Sequence, residues 1–393
     1  MEKKLEKYNY LIDKVSYIVF AFYLTISIFA ISSICYGNTS VEFALKLCRY
    51  FCYGIFLIRI IYKYDSLDIP ELLIILLGIL ITIFSFNPYI FILSIILSAL
   101  KSLDSNKLYK ISLYVILSCF SVIVLLSFLK VIPNWTYLKG DITRNSLGFF
   151  YPTDCFSVYL LIVLLIFYAK KFDISYLWLI IIEAVNIILY YYTYGRLSFI
   201  LINLIILAIV LGKIPFIKRL VNKDIFKLIL KYISYTLPVT LFLITNLLII
   251  GYKYQVPVVN KIDDVLSNRI SYSYEAHLKN KITIFGQELK WNGWGGYGYT
   301  EASEDYEYNF VDNSYSKILL EYGIVLTIVV LALYTFLLIR CYKDKNWVLF
   351  YIILFVLIWS FIEPYIVDIG RNVFVIELIM LFKSRGKMNE EVN

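Results

Sequence analysis

Long apolar runs recur from one end of this sequence to the other, near 15–35, 43–62, 69–86, 88–100, 111–132, 153–169, 174–193, 197–211, 232–252, 314–340, 347–363 and 371–382. Crossing a hydrocarbon core about 30 Å thick takes roughly 20 helical residues, and no water is there to satisfy a loose backbone group. The runs therefore predict an all-α, polytopic integral membrane protein of about 12 transmembrane helices, with a range of about 10–12 because the fourth and twelfth are short. Composition agrees: 61% of residues are hydrophobic and 17% charged, against about 25% charged in soluble domains. In such a chain the formal charge of +8 speaks of orientation rather than of nucleic acid. The first run is too long for a signal peptide and no small-residue cleavage site follows it, so it reads as a retained helix. The six cysteines are scattered through apolar segments without metal-ligand spacing and read as small buried residues.

Lys and Arg concentrate on alternate connections, as the positive-inside rule requires of inner loops. With a cytoplasmic N-terminus the inner side takes Lys3, Lys4, Lys7 and Lys14, then Lys63, Lys101, Lys107, Lys110, Lys170 and Lys171. It also takes the stretch "GKIPFIKRLVNKDIFKLILK", which reads as an amphipathic segment along the inner leaflet, and lastly Arg340, Lys343, Lys345, Lys383, Arg385 and Lys387. Both termini then lie on the cytoplasmic side. One outer connection stands apart by its length. It divides the chain into helices over 1–252 (about nine), a large extracytoplasmic loop over 253–313, and about three further helices with a cytoplasmic tail over 314–393. Within it "SNRISYSYEAHLKNKITIFG" reads as a short amphipathic helix, and "WNGWGGYGYTEASEDYEYN" is aromatic and acidic. Sugar rings stack on aromatic faces while their hydroxyls take polar partners, so the loop suits carbohydrate, or it packs on the outer surface.

Three arginines break the charge rule on that outer side: Arg144 in "GDITRNSLGFFYPTD", Arg196 in "YYTYGRLSFIL" and Arg269 in "LSNRISYSYEA". A guanidinium at the membrane boundary is costly, and its fork suits phosphate oxygens. Any one of them could also snorkel to the interface. Together, beside a carbohydrate-friendly loop, they point to an anionic lipid-linked ligand. Lys46 and Arg49 share a helical face near the outer end of the second run and either join that cavity or sit at the interface. Asp312 opens the helix "NSYSKILLEYGIVLTIVVLALY". It is placed either to cap that helix or to accept a proton from an attacking hydroxyl. Glu363 and Asp368 are alternative carboxylates, and the single histidine, His277, reads as a surface residue.

These segments form an ordered set. "DNSYSKILLEYGIV" resembles the (H/D)-N-x-Y-L-x-x-L-x-E-x-G motif of bacterial O-antigen ligases and repeat-unit polymerases. "NRISYSYEAHLKNKITIFG" is similar to their G-R-x-x-x-W-x-x-A segment and the turn after it, "TYGRLSFI" to their T-G-S-R turn, and "RNSLGFFYPTDCFS" to R-x-S-x-G-x-x-H-P-N. Tyr274 stands where the family has tryptophan and Gly195 where it has serine. Asp312 replaces the histidine of the ligases, which favours a polymerase. The resemblance implies a GT-C-like membrane glycosyltransferase that polymerises undecaprenyl-diphosphate-linked repeat units into capsule or O-antigen at the outer face of the membrane. Arg144, Arg196 and Arg269 would bind the diphosphate. Asp312 would act on the acceptor, with Asn313, Tyr315, Tyr274 and Glu363 as further substrate contacts. No metal and no cofactor are expected, because arginines supply the counter-charge. Partners would be the lipid-linked donor and acceptor, with a chain-length regulator and a flippase. A ligase is the nearest alternative, and a flippase another, although no internal repeat is visible and one loop is outsized.

Overall fold

Every apolar run but the last folds as a helix of some length. The computed structural model describes residues 2–35, 39–63, 67–139, 141–221, 223–293 and 309–383. The helices are α1 (Glu2–Phe29), α2 (Thr39–Tyr62), α3 (Ile69–Ser85), α4 (Tyr89–Leu100), α5 (Ser105–Phe128), α6 (Pro152–Ala169), α7 (Tyr176–Thr193), α8 (Arg196–Lys213), α9 (Pro215–Val221), α10 (Asp224–Lys253), α11 (Pro257–Val265), α12 (Arg269–Lys279), α13 (Ser314–Lys343), α14 (Trp347–Ser360) and α15 (Ile376–Met380). Among the described residues, seven are long and apolar enough to cross a membrane: α1 from Tyr8, α5, α6, α7, α8, α10 and α13. α3, α4 and α14 are apolar but shorter, and α2 carries Glu42, Lys46, Arg49 and Arg59 along its length. These are the dimensions of an integral membrane protein. Among the described residues the one sheet is a hairpin of β1 (Thr136–Lys139) and β2 (Ile142–Asn145), paired antiparallel with Thr136 opposite Asn145.

A helix that is apolar all round belongs in the interior, and α6 holds that place. Its residues from Pro152 to Leu165 are buried but for Thr153, and it packs against α5, α7, α8 and α14. α3 and α4 form a helical hairpin closed at one end by Lys101, which bonds Asp68 at 2.5 Å and Glu71 at 2.6 Å. At its other end Asn87 donates to Glu321 at 2.6 Å. That second end of the bundle carries the hairpin β1–β2, α11 and α12, and it is called the site end below.

Two segments depart from the expected spans. α13 does not run straight from Ser314. Gly323 is non-helical inside it, with φ 83° and ψ 179°. Ser314 and Tyr334 then meet the same residue: the Ser314 hydroxyl accepts from the Ile366 N–H at 3.2 Å, and the Tyr334 hydroxyl donates to the Ile366 C=O at 2.7 Å. In a straight helix those positions would lie about 30 Å apart. The arm 314–322 therefore folds back on 324–343, and the latter is the part of expected span 314–340 left to cross. Glycine is required at the bend, where a Cβ on Gly323 would meet the backbone nitrogen of Gly286 at 2.5 Å. The two motif segments "TIFG" and "LLEYG" cross there, backbone on backbone.

The twelfth run, 371–382, is helical by α-geometry only over α15. The stretch from Ile362 to Met380 is almost wholly buried. Irregular backbone in apolar surroundings survives where side chains satisfy it. Here Tyr334 and Asn372 bond the Ile366 C=O, and Arg340 bonds the Met380 C=O at 2.8 Å.

Candidate functional site

The turn between α7 and α8 is two residues long. Tyr194 adopts a left-handed conformation with φ 50°, and Gly195 lies so close to the Phe156 ring that a Cβ would stand 2.2 Å from it. This packing accounts for glycine where the resembling family has serine. The tight turn fixes Arg196 as the first residue of α8, exposed at the site end, where its guanidinium donates to the Ser267 hydroxyl at 3.0 Å. β2 brings Arg144 to the same turn, and its Nε donates to the Thr193 C=O at 2.8 Å. Ser267 lies two residues before Arg269, which opens α12. Buried Asp263 secures that opening by accepting from the N–H groups of Ile270 (2.7 Å) and Ser271 (3.2 Å). The three arginines thus stand together, joined by the α7–α8 turn and the α11–α12 turn.

Their charges act on one another. Burial pushes the Arg144 guanidinium below its ordinary pKa, and Arg269 and Arg196 push the same way, although a guanidinium stays protonated throughout. The counter-charges come from the far half of the sequence. Arg269 donates through Nε to the Ile362 C=O at 2.8 Å, pairs with Glu363 at 3.1 Å and reaches Asp312 at 3.4 Å. Glu363 lies beyond α14, in the irregular connection. Burial pushes its carboxyl up to about 8, against the pull of Arg269.

Asp312 is not the helix cap. Asn313 is: its side-chain oxygen accepts from the Ser316 N–H at 3.0 Å. Its amide donates to the Phe361 C=O at 2.7 Å and to Thr245 at 3.3 Å, so its role is to lock the arm to α10 and the end of α14. With the cap supplied next door, the Asp312 carboxylate is left to face Arg269. A small cleft beside it is lined by Thr245, Arg269, Ser273, Asn313 and Phe361.

Several expected contacts lie elsewhere. Tyr315 is buried and donates to the Leu357 C=O at 3.0 Å, tying the arm to α14. Tyr274 packs its ring on Tyr252 at 5.6 Å and seats α12 on α10. Asp368 accepts from Tyr89 at 3.3 Å and from the Gly370 N–H at 2.9 Å. Lys46 and Arg49 lie on α2, which packs on α1, α4 and the short turn at 33–35 rather than on the elements that carry the arginine cluster. His277 is half-buried rather than a surface residue. Its Nδ1 lies 2.8 Å from the Ser273 C=O, and burial lowers its pKa. Of the aromatic and acidic stretch expected to meet sugar, 294–308 lies outside the described residues.

Other residues at the site end went unassigned in the sequence. Arg371 forms a buried pair with Asp154 of α6 at 3.0 Å and lies 5.0 Å over the Tyr365 ring. This pair anchors the connection carrying Glu363 to the central helix. The signal was available, since each is an isolated charge in an apolar run and such charges pair with one another. Glu321 accepts from Asn87 and, at 2.8 Å, from Trp291 Nε1. Among the described residues no three His, Cys, Asp or Glu side chains gather to hold a metal ion.

No protein-family model, curated protein or solved structure matches the chain. The chemistry of the site therefore stands on its own residues. Three guanidiniums can take the oxygens of a condensed phosphate, and two carboxylates beside one of them can hold or move a proton.

Proposed function

We propose that the chain is a repeat-unit polymerase of the O-antigen and capsule kind, working at the outer face of a bacterial cytoplasmic membrane. The convergence of Arg144, Arg196 and Arg269 beside Asp312 is the observation that carries this reading. In the reaction the anomeric C–O bond to the lipid diphosphate breaks and its electron pair leaves with the diphosphate. A hydroxyl oxygen of the acceptor repeat unit forms the new glycosidic bond, and its proton passes to Asp312. Negative charge grows on the departing diphosphate, where preorganised cations act most strongly. Arginines meet that need without a metal. The glycan is carried on undecaprenyl diphosphate in both donor and acceptor, and bond energy in the donor drives the step without a nucleotide.

The alternation of Lys and Arg supports an orientation with both termini cytoplasmic and the site end outside. Twelve crossings, a GT-C-like arrangement and a large extracytoplasmic loop over 253–313 belong to the same reading. The test is reconstitution of the purified chain in liposomes with lipid-linked repeat units and excess chelator. Longer glycans on lipid are the expected product. Translocation without extension would make the protein a flippase, and transfer to a different lipid acceptor would make it a ligase.

A further inference from the structure

Lys317 is a cation that the proposed reaction does not yet use. It lies one turn after Asn313 and one turn before Glu321, on the same face of the arm. Its ammonium stands 4.5 Å from the centre of the Phe310 ring and 5.9 Å from that of Trp291. Those two rings meet edge to face at 6.4 Å and 72°. Their positions are held from outside the pocket. Trp291 donates to Glu321, and the strands before and after the loop join through the reciprocal backbone bonds of Asn292 and Asn309 at 2.8 and 2.9 Å.

The ammonium has no carboxylate within 4 Å and no hydrogen bond among the described residues, although Lys317 is half-buried. The three carboxylates in its field, Glu321, Asp312 and Asp368, are each engaged by other donors. An ammonium is a strongly hydrated point charge with three donors. One parked on aromatic faces, beside carboxylates committed elsewhere, has its donors open to a ligand. Flat rings for C–H faces together with free donors for hydroxyl oxygens are the recognition elements of a saccharide.

We infer that Lys317, Phe310 and Trp291 form a saccharide subsite that seats the acceptor sugar on the side of Asp312 away from the diphosphate arginines. The inference rests on the polymerase reading above and deepens it. Asp312 belongs to both halves, reaching Arg269 at 3.4 Å and lying within the field of Lys317. Lys317 orients the acceptor hydroxyl and Asp312 takes its proton.

The experiment uses the full chain in nanodiscs. The probe is the repeat-unit oligosaccharide freed from its lipid by mild acid, and binding is read by quenching of tryptophan fluorescence. Saturable quenching is expected for the unmodified protein. Losing a charged hydrogen bond costs about 1.5–3 kcal/mol, so Lys317→Met should weaken binding about 10- to 100-fold. Lys317→Arg, which keeps the charge over the rings, should weaken binding less than Lys317→Met. In the polymerisation assay Lys317→Met should raise KM for the acceptor by a similar factor and leave kcat within about threefold, the pattern of lost substrate binding. Phe310→Leu should do the same if Lys317→Met does not fold. Polymerisation with unchanged acceptor KM in both variants would overturn the subsite and leave the enzyme reading intact. Saturable, Lys317-dependent binding without polymerisation would sustain the subsite and sink the polymerase.

Discussion

Substituting Asp312 by Asn separates chemistry from architecture at adjacent residues. The Asp312 side chain is 25% exposed, and its ion pair with Arg269 is long at 3.4 Å. A pair so screened contributes up to about 1 kcal/mol, and the helix cap is untouched because Asn313 supplies it. Asp312→Asn should therefore unfold within a few degrees of the parent. Its polymerisation rate should fall by about 10²–10⁴, the usual worth of a positioned proton acceptor. Asn313→Ala is the contrast. It removes the cap, worth about 0.5–2 kcal/mol, and strands the Phe361 C=O, at about 1–3 kcal/mol. That variant should lose roughly 2–4 kcal/mol and melt early in detergent. The assays are thermal unfolding by fluorescence-detected size exclusion and chain extension in proteoliposomes. An Asp312→Asn protein that extends glycans within threefold of the parent rate would refute the assignment, and so would one that melts as early as Asn313→Ala.

Glu363→Gln should flatten a pH dependence. The parent carboxyl sits at about 8 when folded, above its ordinary value of 4.5, so its contribution to stability is complete below about 4.5 and is lost as pH rises through 8. The neutral amide escapes that loss, and its melting temperature should exceed the parent's above pH 8; parallel melting curves from pH 5 to 9 would contradict this. Arg196→Lys changes an exposed residue with one bond to Ser267, so stability should hold within about 0.5 kcal/mol. Loss of the planar fork should cost roughly 10²–10³ in rate; near-normal extension would mean that Arg196 only anchors the turn. Gly323→Ala places a Cβ 2.5 Å from the Gly286 nitrogen and should cost about 2–4 kcal/mol through backbone strain and overpacking. Gly212→Ala, with open space around it, should be neutral or stabilising by about 0.5–1 kcal/mol. Finally, in a Cys48→Ser background, Glu288→Cys should react with an impermeant thiol reagent in whole cells while Lys343→Cys does not; the reverse would turn the protein over in the membrane.

How much of this was legible from residue order differs by level. Apolar runs located the membrane helices because backbone in lipid has so few options. The three arginines were visible as cations on the side where the charge rule leaves few of them. The fold-back at Gly323 was not visible, since Lys317 and Glu321 suit a helix that runs on as well as one that ends, and only the Gly286 crossing marks the bend. Which of Asp312 and Asn313 caps α13 was not visible for a similar reason. Both are good caps, and which one caps depends on Phe361 and Thr245, far away in sequence. The pair Asp154–Arg371 left a trace as lone charges, but pairing them needed the irregular path after α14, for which no periodicity exists.

That path has a bearing on the order of synthesis. Arg144, Arg196 and Arg269 leave the ribosome well before the residues that complete their surroundings. The arm with Asp312 gains its bonds to Leu357, Phe361 and Ile366 only once α14 and the path after it exist, and Arg269 gains its second acidic partner only with Glu363. During translation the cation cluster therefore lacks part of its surroundings while α13 and α14 are threaded. The last segment to enter, held by Arg371 on Asp154, acts as a keystone. A nascent chain stalled before residue 361 has the arginines but not the residues that clasp the arm beside them.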